Sequence, residues 1–436
     1  MGEAVHSPDG LRPGIERIRL NMFIPVLCRE PYRLFFPIGI WMGMVGVAPW
    51  LFYALGLRET YSGFFHSSTQ MLVYMSCFVT GFLMTFIPRF TAMAYATVNE
   101  IFSFLFLLVG ISVFLQLEQW IMAETCYLIW LLLLVRFVLV RRPQHPMTTT
   151  APTPPVELIW LPFAAFHGLS GTLLLILGQL DILPRVAVRI GKPMMEQGFL
   201  LSMVMGIGGF LLPRIMGTYQ HHQAGSQERQ IPCAVAQRRS SHPFRSVIFH
   251  LGCGLALWTS FWLEGWGWIS WGYGMRAIVI IAEFFWTKTL PHLQKGADFY
   301  KVLALSSAWM IVAGYGLAAI FSEYRVAMLH LAFMGGFSLL TLAIGTMVIL
   351  SHAGEADRLK RPMGILLIVA IGSALALVKR TLLIAFPDSY FTFLGLSSLA
   401  WIFAVGSWLI YMISRLFKVP EEDAFEKMHQ EAQETL

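Results

Sequence analysis

Twelve separate apolar stretches constrain this chain more than any other feature of its sequence. A helix needs about 20 apolar residues to cross the hydrocarbon layer of a membrane. Inside that layer, a helix satisfies its backbone hydrogen bonds within its own segment. The sequence therefore predicts an all-α polytopic membrane protein whose first partner is the lipid bilayer. The predicted spans are 34–57, 67–88, 99–117, 120–140, 157–180, 194–216, 244–263, 266–287, 300–321, 326–350, 362–385 and 390–414.

The composition supports this prediction and excludes a soluble protein. Hydrophobic residues make up 56% of the chain and charged residues only 13%, whereas soluble domains carry about 25% charged residues. Such a chain cannot cover a water-exposed surface with polar groups, so its net charge of +6 reflects its loops. We therefore predict no nucleic-acid partner. The five cysteines form no CxxC pair and give no sign of a disulfide framework.

The distribution of basic residues predicts the orientation in the membrane. With the amino terminus in the cytoplasm, the inner side has 23 of the 31 Lys and Arg residues and the outer side has 7. This bias predicts that both termini lie in the cytoplasm. Arg185, Arg189 and Lys192 run against it, because they fall on the outer side. The predicted domains are a cytoplasmic amino-terminal tail (1–33), a membrane domain of about 12 helices (34–415) and a cytoplasmic carboxyl-terminal tail (416–436).

A glycine-containing pattern recurs in the second, sixth and tenth spans. It begins at Gly81, Gly206 and Gly336, and the first two copies end in Pro-Arg at 88–89 and 213–214. The copies lie four spans apart, so the three helices run in the same direction. This spacing predicts three four-helix repeats. The alternative is that Gly and Phe recur by chance in membrane helices.

Ionisable residues inside membrane spans are candidate functional sites, because burying them in lipid is costly. His66 and His330 begin spans that enter from the same side, and imidazoles on facing helices can hold haem. Lys379 and Arg380 fall in the same leaflet, where cations would bind haem propionates. The alternative for all four is that their polar ends reach the water at the membrane surface.

Three further histidines are candidates. His167 lies near mid-depth beside small residues, and either binds a cofactor or forms a buried hydrogen bond. His250 shares a helix face with Cys253, a pair that suits copper, although a packed core pair is the alternative. His352 is a separate candidate metal ligand, because its 22-residue separation from His330 corresponds to about 33 Å of helix.

Two other patterns are open to competing interpretations. Arg276 and Glu283 lie seven residues apart on one face of the eighth span, which predicts an internal ion pair. The loop 217–243 either binds a metal or is simply solvated, since its spacing matches no zinc template. Its candidate ligands are His221, His222, Cys233 and His242.

Several segments, in the same order over most of the chain, resemble the NnrS family of bacterial membrane proteins. The strongest runs from Leu329-His330 to His352-Ala-Gly354 and is similar to the family's LHALTVGAxGGMTLAVMTRVxLGHTG, with both histidines and the intervening glycines matched without a gap. The others are PYRLFF at 31–36 (family PFRPFF), GFLMTFIPRFT at 81–91 (family GFLLTAVPNWTG), FH at 166–167 (family LFH) and GGFLLPRIMG at 208–217 (family GGRVIPAFTR).

Two family motifs are altered. The family's WHAHEM corresponds to FHSSTQM at 65–71, which loses one His and the Glu and matches His66 only with a shift of one residue. The family's HLGYAWL corresponds to LALSSAW at 303–309, which loses its His. The chain thus resembles a divergent member with fewer metal ligands.

The resemblance implies haem and copper as cofactors and a link to nitric oxide, nitrosative stress and denitrification. The implied ligand is nitric oxide or a metal-nitrosyl species. The first hypothesis is therefore a haem-binding inner-membrane protein of the nitric oxide response, with copper as a further candidate cofactor. The alternatives are a secondary transporter of a small solute or metal, built from repeats, and a scaffold without chemistry. The sequence contains no phosphate loop, nucleophile elbow or dinucleotide fingerprint, and it indicates neither an enzyme class nor an oligomeric state.

Overall fold

A computed structural model describes residues 23–91, 93–141, 155–216, 243–289 and 297–418. These residues are helical and contain no strand, which confirms the predicted all-α fold. The main helices are α1 (Tyr32–Ala54), α2 (Gly63–Thr91), α3 (Val98–Gln116), α4 (Trp120–Val140), α5 (Val156–Gln179), α6 (Val186–Ile215), α7 (Pro243–Gly265), α8 (Ile269–Trp286), α9 (Phe299–Ile320), α10 (Ser322–His352), α11 (Gly364–Ala385) and α12 (Pro387–Leu416).

Eleven of these helices are long and apolar enough to cross a membrane, so the protein is a multi-pass membrane protein. The exception among the twelve predicted spans is the eighth. Its helix, α8, is 18 residues long and packs between α7 and α9. Arg276 and Glu283 are both fully buried within it. These two charges lower its hydropathy, and they face the protein interior instead of lipid.

The helices form a closed ring around three inner helices. Each helix packs against the next in the chain, and α12 returns to pack against α1. The share of buried residues in the 18-residue apolar stretch is 83% in α2 and 67% in both α6 and α10. In the other eight candidate spans it is only 33–44%. Large apolar side chains on the outer helices, such as Phe106 and Ile410, are exposed and suit contact with lipid.

The three repeat glycines have the same packing role. Each lies where an inner helix crosses the helix that precedes it in the chain, and an added Cβ would collide there or press closely on its neighbour. That Cβ would lie 2.8 Å from Tyr32 Cα at Gly81, 3.1 Å from Trp160 Cβ at Gly206 and 2.4 Å from Ile311 Cγ1 at Gly336. Small residues permit such close helix approach in membranes. The equivalence supports the predicted repeat of four helices.

The inner helices share a second feature, which is π-helical geometry. Among the described residues, π-helical segments occur only in α2 (Thr69–Met75), α6 (Met194–Gly198 and Val204–Gly208) and α10 (Leu331–Ser338). The first segments of α2 and α6 both begin twelve residues before the repeat glycine. Such widened turns are frequent at functional sites, and here they lie in the three helices at the centre of the bundle.

A capping box fixes the connection between α2 and α3. The Thr97 side chain accepts from the backbone N–H of Glu100, and the Glu100 carboxylate accepts from the backbone N–H of Thr97. Arg141 at the end of α4 donates to the same carboxylate and to the carbonyls of Ala94 and Tyr95. The α2–α3 loop is therefore held against the end of α4.

Candidate functional site

The three inner helices, together with residues of α1, α8, α11 and α12, line a cavity of about 450 Å³ at the end of the bundle that contains His66, here called the His66 end. The opposite end is called the His352 end. The π-helical segments supply part of the cavity wall, because their side chains turn toward the bundle axis. The wall is mainly apolar, and its principal polar residues are His66, Gln70, Lys192, Glu196, Gln197, Tyr273, His330 and Arg380.

His66 and His330 lie side by side in this cavity, as their positions in the sequence predicted. Their ring centroids are 6.4 Å apart and their planes differ by only 4°. The rings come from α2 and α10, two of the inner helices. The structure therefore brings together the two imidazoles that were the leading candidates for a haem site.

Backbone carbonyls fix the orientation of both rings. His66 Nδ1 lies 3.0 Å from the carbonyl oxygen of Gly46, and His330 Nδ1 lies 2.6 Å from that of Val326. Because a carbonyl only accepts, each Nδ1 carries the hydrogen, and the lone pair of the neutral ring is on Nε2. Arg380 Nε donates to His330 Nε2 at 3.4 Å. Metal-binding histidines are held in the same way, with one nitrogen donating to a carbonyl.

The structure separates the two neighbouring cations Lys379 and Arg380. Arg380 lines the cavity and contacts His330. Lys379 does not line it, and its Nζ lies 5.2 Å from the ring centroid of Phe393. Successive residues on a helix point about 100° apart, and the rotation of α11 turns Arg380 toward the cavity and Lys379 away from it.

Lys192 and Glu196 also line the cavity, and sequence reasoning missed both as site residues. Lys192 Nζ donates to Ser67 Oγ at 2.9 Å and forms an ion pair with Glu196, one helical turn away. The signal that could have found Lys192 was its position on the side that otherwise contains few basic residues. A lysine that violates the charge bias can have a partner inside the protein.

Arg276 forms a buried network that reaches the cavity wall. Its Nη1 donates to Gln197 Oε1 at 2.9 Å and its Nη2 to Glu264 Oε2 at 2.5 Å. Tyr273 OH donates to the other oxygen of Glu264 at 2.8 Å. Gln197 and Tyr273 both line the cavity. The predicted pair of Arg276 with Glu283 is wrong, because the partner of Arg276 comes from the neighbouring helix α7.

Glu283 instead pairs with His250. The Nδ1 atom of His250 lies 2.8 Å and 3.0 Å from the two carboxylate oxygens, and both side chains are buried. Cys253 hydrogen-bonds to the same carboxylate. His250 and Cys253 therefore share a helix face as predicted, but they do not line the His66 cavity.

His167 is also outside the cavity, although it is fully buried. Its Nδ1 lies 3.1 Å from Ser202 Oγ, between α5 and the inner helix α6. Its Nε2 is buried without a hydrogen-bond partner. The proposed role of His167 in cofactor binding therefore remains a prediction that the cavity geometry does not support.

His352 belongs to an ionic cluster at the opposite end of the bundle. Its Nδ1 lies 2.8 Å from Glu30 Oε1, and Arg89 Nη1 donates to its Nε2 at 2.8 Å. Arg33 Nε donates to Glu30 Oε2 at 2.5 Å. Burial favours the neutral carboxyl, but the hydrogen bond from His352 and the charges of Arg33 and Arg89 hold the pKa of Glu30 well below its ordinary value. Both ring nitrogens of His352 contact charged side chains of this cluster, and the ring does not line the His66 cavity.

The donor set fits haem better than a free metal ion. The described residues contain no group of three or more His, Cys, Asp or Glu side chains that could hold a metal, so they do not fit a copper site of that kind. A haem needs only axial protein ligands, because its macrocycle supplies the others, and imidazole is a common axial ligand. The loop candidates lie outside the described residues, namely His221, His222, Cys233 and His242.

Comparison with known families agrees with this architecture. A family model described as NnrS protein matches residues 26–419. The match includes all twelve main helices and both ends of the bundle. No curated protein matches the chain.

Proposed function

The chain belongs to the NnrS family, and from that premise we propose that it is a haem-binding inner-membrane protein of the nitric oxide response. Family membership supports a membrane protein related to that response in general terms. The finer proposal rests on one observation, the parallel pair of imidazoles of His66 and His330 in the central cavity.

In this proposal His66 and His330 hold the haem iron. The carbonyls of Gly46 and Val326 orient the two rings before any ligand binds, since each Nδ1 already has its acceptor. Bound haem would supply an iron centre of the kind that binds diatomic gases, and one of the two imidazoles would have to release the iron to make room for the gas. The chain's own contribution is to bring the two imidazoles together in one cavity between α2 and α10, where His330 Nε2 would exchange its hydrogen bond from Arg380 for the iron.

Arg380 favours a cofactor with anionic groups. Among the described residues it contacts His330 and Tyr390, and no carboxylate pairs with it. A guanidinium at a cavity wall without a counter-charge suits a carboxylate, with which it forms strong charge-assisted hydrogen bonds. The haem propionates would supply that charge. Lys192 is a weaker candidate for this role, because Glu196 already neutralises it.

The apolar part of the cavity suits an apolar gas. Trp50, Phe333 and Trp401 contribute to the wall beside the two histidines. Nitric oxide partitions into apolar surroundings, so it can reach a site inside the membrane without a hydrated path. The protein would therefore bind the gas inside the membrane, where the gas accumulates.

The function is tested by survival of cells under nitric oxide. Deletion of the gene should sensitise cells to nitric oxide donors, and the wild-type gene should restore growth. His330→Ala should fail to restore it at equal membrane abundance, because it removes one imidazole of the pair. Lys379→Ala is the matched control, since it removes a charge from the same end outside the cavity. If His330→Ala restored growth as well as the wild-type gene, His330 would have no role in the proposed function.

A further inference from the structure

A second cavity, of about 140 Å³, lies further along the same three inner helices toward the His352 end. Met75 in α2 lines the first cavity and Val79, one helical turn later, lines the second. In α10 the corresponding residues are Ser338 and Thr341. The two cavities therefore follow one another along the bundle axis.

The wall of the second cavity has no side chain with a free hydrogen-bonding group for water. Every residue that lines it is apolar except Thr341. The Thr341 hydroxyl donates to the Phe337 carbonyl within its own helix at 2.7 Å, so it is already satisfied. A buried water needs two to four polar partners, and apolar cavities without them remain dry. The natural occupant is therefore an apolar molecule.

Two glycines help to keep this space open. A Cβ at Gly208 would approach only Val204 and Leu212 of its own helix, at 3.5 and 3.6 Å. A Cβ at Gly345 would come no closer than 3.5 Å to any neighbour. These are ordinary contacts, unlike the collision that a Cβ would make at Gly336. Helix packing does not require glycine at positions 208 and 345, but the absence of a side chain there enlarges the cavity.

We propose that this second cavity is a binding site for a small apolar molecule of gas size. Its volume is close to that of an engineered, enclosed apolar protein cavity of about 150 Å³ that binds xenon and benzene, but this cavity is partly open, so an apolar molecule can enter it directly. The inference does not rest on the proposed function, because it involves neither histidine of the first cavity and no metal. It gives an apolar gas a site on the bundle axis, adjacent to the site where we propose that it is bound.

Xenon is the probe that tests this site. Crystals of the full-length protein under xenon pressure should show an anomalous peak among Val79, Ile207 and Ile344, with no ordered water there. Gly208→Leu should remove the peak, because the new side chain occupies the cavity. Gly252→Leu is the matched control, since Gly252 is exposed on α7 and its Cβ would meet nothing within 4 Å.

Three results would overturn the proposal. The first is the absence of a xenon peak at this position in the wild-type protein. The second is ordered water or a lipid chain in its place, and the third is an undiminished peak in Gly208→Leu. If Gly208→Leu does not fold, Ile344→Phe fills the same space from α10 and the same outcomes apply. The measurement on His330→Ala separates the two proposals, because xenon should still bind when haem is lost.

Discussion

The two ends of α10 place histidines in opposite surroundings. At one end His352 is held in an ionic cluster in which Glu30 pairs with both Arg33 and Arg89. At the other end His330 faces a cavity, beside an arginine that no described carboxylate neutralises. Both histidines belong to the segment that most resembles the family. The contacts of His352 are those of a residue that stabilises the fold, whereas His330 lines the cavity in which we propose that a ligand binds.

The cluster at the His352 end joins the start of α1 to the end of α12. In addition to its ion pair with Glu30, Arg33 donates hydrogen bonds to the carbonyls of Leu416 and Lys418, at 2.9 and 2.8 Å. These contacts satisfy carbonyls at the end of α12 and hold that helix against the start of α1. Removing one partner of a buried ion pair costs about 3–5 kcal/mol, because the remaining charge is left without compensation.

The largest expected effect is therefore at the His352 end. Glu30→Ala leaves Arg33 and Arg89 without their shared carboxylate and should lower the free energy of unfolding by about 3–5 kcal/mol. Thermal unfolding in detergent measures it. Asp357→Ala is the control, since its fully exposed pair with Lys360 is screened by solvent and contributes little to stability. Similar losses in both variants would show that the buried cluster has no special role.

An intermediate effect is expected at the His66 end. Arg380→Ala should weaken haem binding by roughly 10- to 100-fold, because a hydrogen bond to a charged group contributes about 1.5–3 kcal/mol and 1.4 kcal/mol is a factor of ten. Lys379→Ala should change it by less than about two-fold. Titration of haem into the haem-free protein measures both. Equal losses would mean that general positive charge, and not the position of Arg380, attracts the cofactor.

A smaller effect is expected on acidification. The pKa of Glu30 is lowered in the folded protein, so its contribution to stability is complete above the ordinary value of 4.5. That contribution is lost as the pH falls below this value toward the lowered pKa, at no more than about 1.4 kcal/mol per pH unit. The midpoint of thermal unfolding should therefore fall more steeply below pH 4.5 in the wild-type protein than in Glu30→Ala. Parallel curves would contradict this assignment.

Much of the fold could be predicted, because a membrane helix is encoded locally. Each span follows from a continuous run of apolar residues, and the repeat glycines mark close helix contacts that the structure contains. The partners of buried charges could not be predicted in the same way. Arg276 and Glu283 share a helix face, but each pairs with a residue of α7, namely Glu264 and His250. Sequence spacing describes one helix and carries no information about its neighbour.

The candidate site, like the fold, could be predicted only in part from the sequence. His66 and His330 could be paired because both begin helices that enter from the same side. The choice between Lys379 and Arg380 depends on the rotation of α11, which the sequence does not show. Glu196 and Gln197 reach the cavity from a π-helical segment, and a regular helical period cannot anticipate that change of direction.

The visible absorption spectrum and haem stoichiometry of the purified protein test the central claim most directly. After growth with sufficient haem, the wild-type protein should show a Soret band. His66→Ala and His330→Ala should lose most of the haem per folded protein, whereas His352→Ala should retain it, because its ring is engaged at the opposite end. The absence of a Soret band from the wild-type protein would contradict the account and favour a haem-free transporter. Equal haem content in His330→Ala and the wild-type protein would contradict the proposed site.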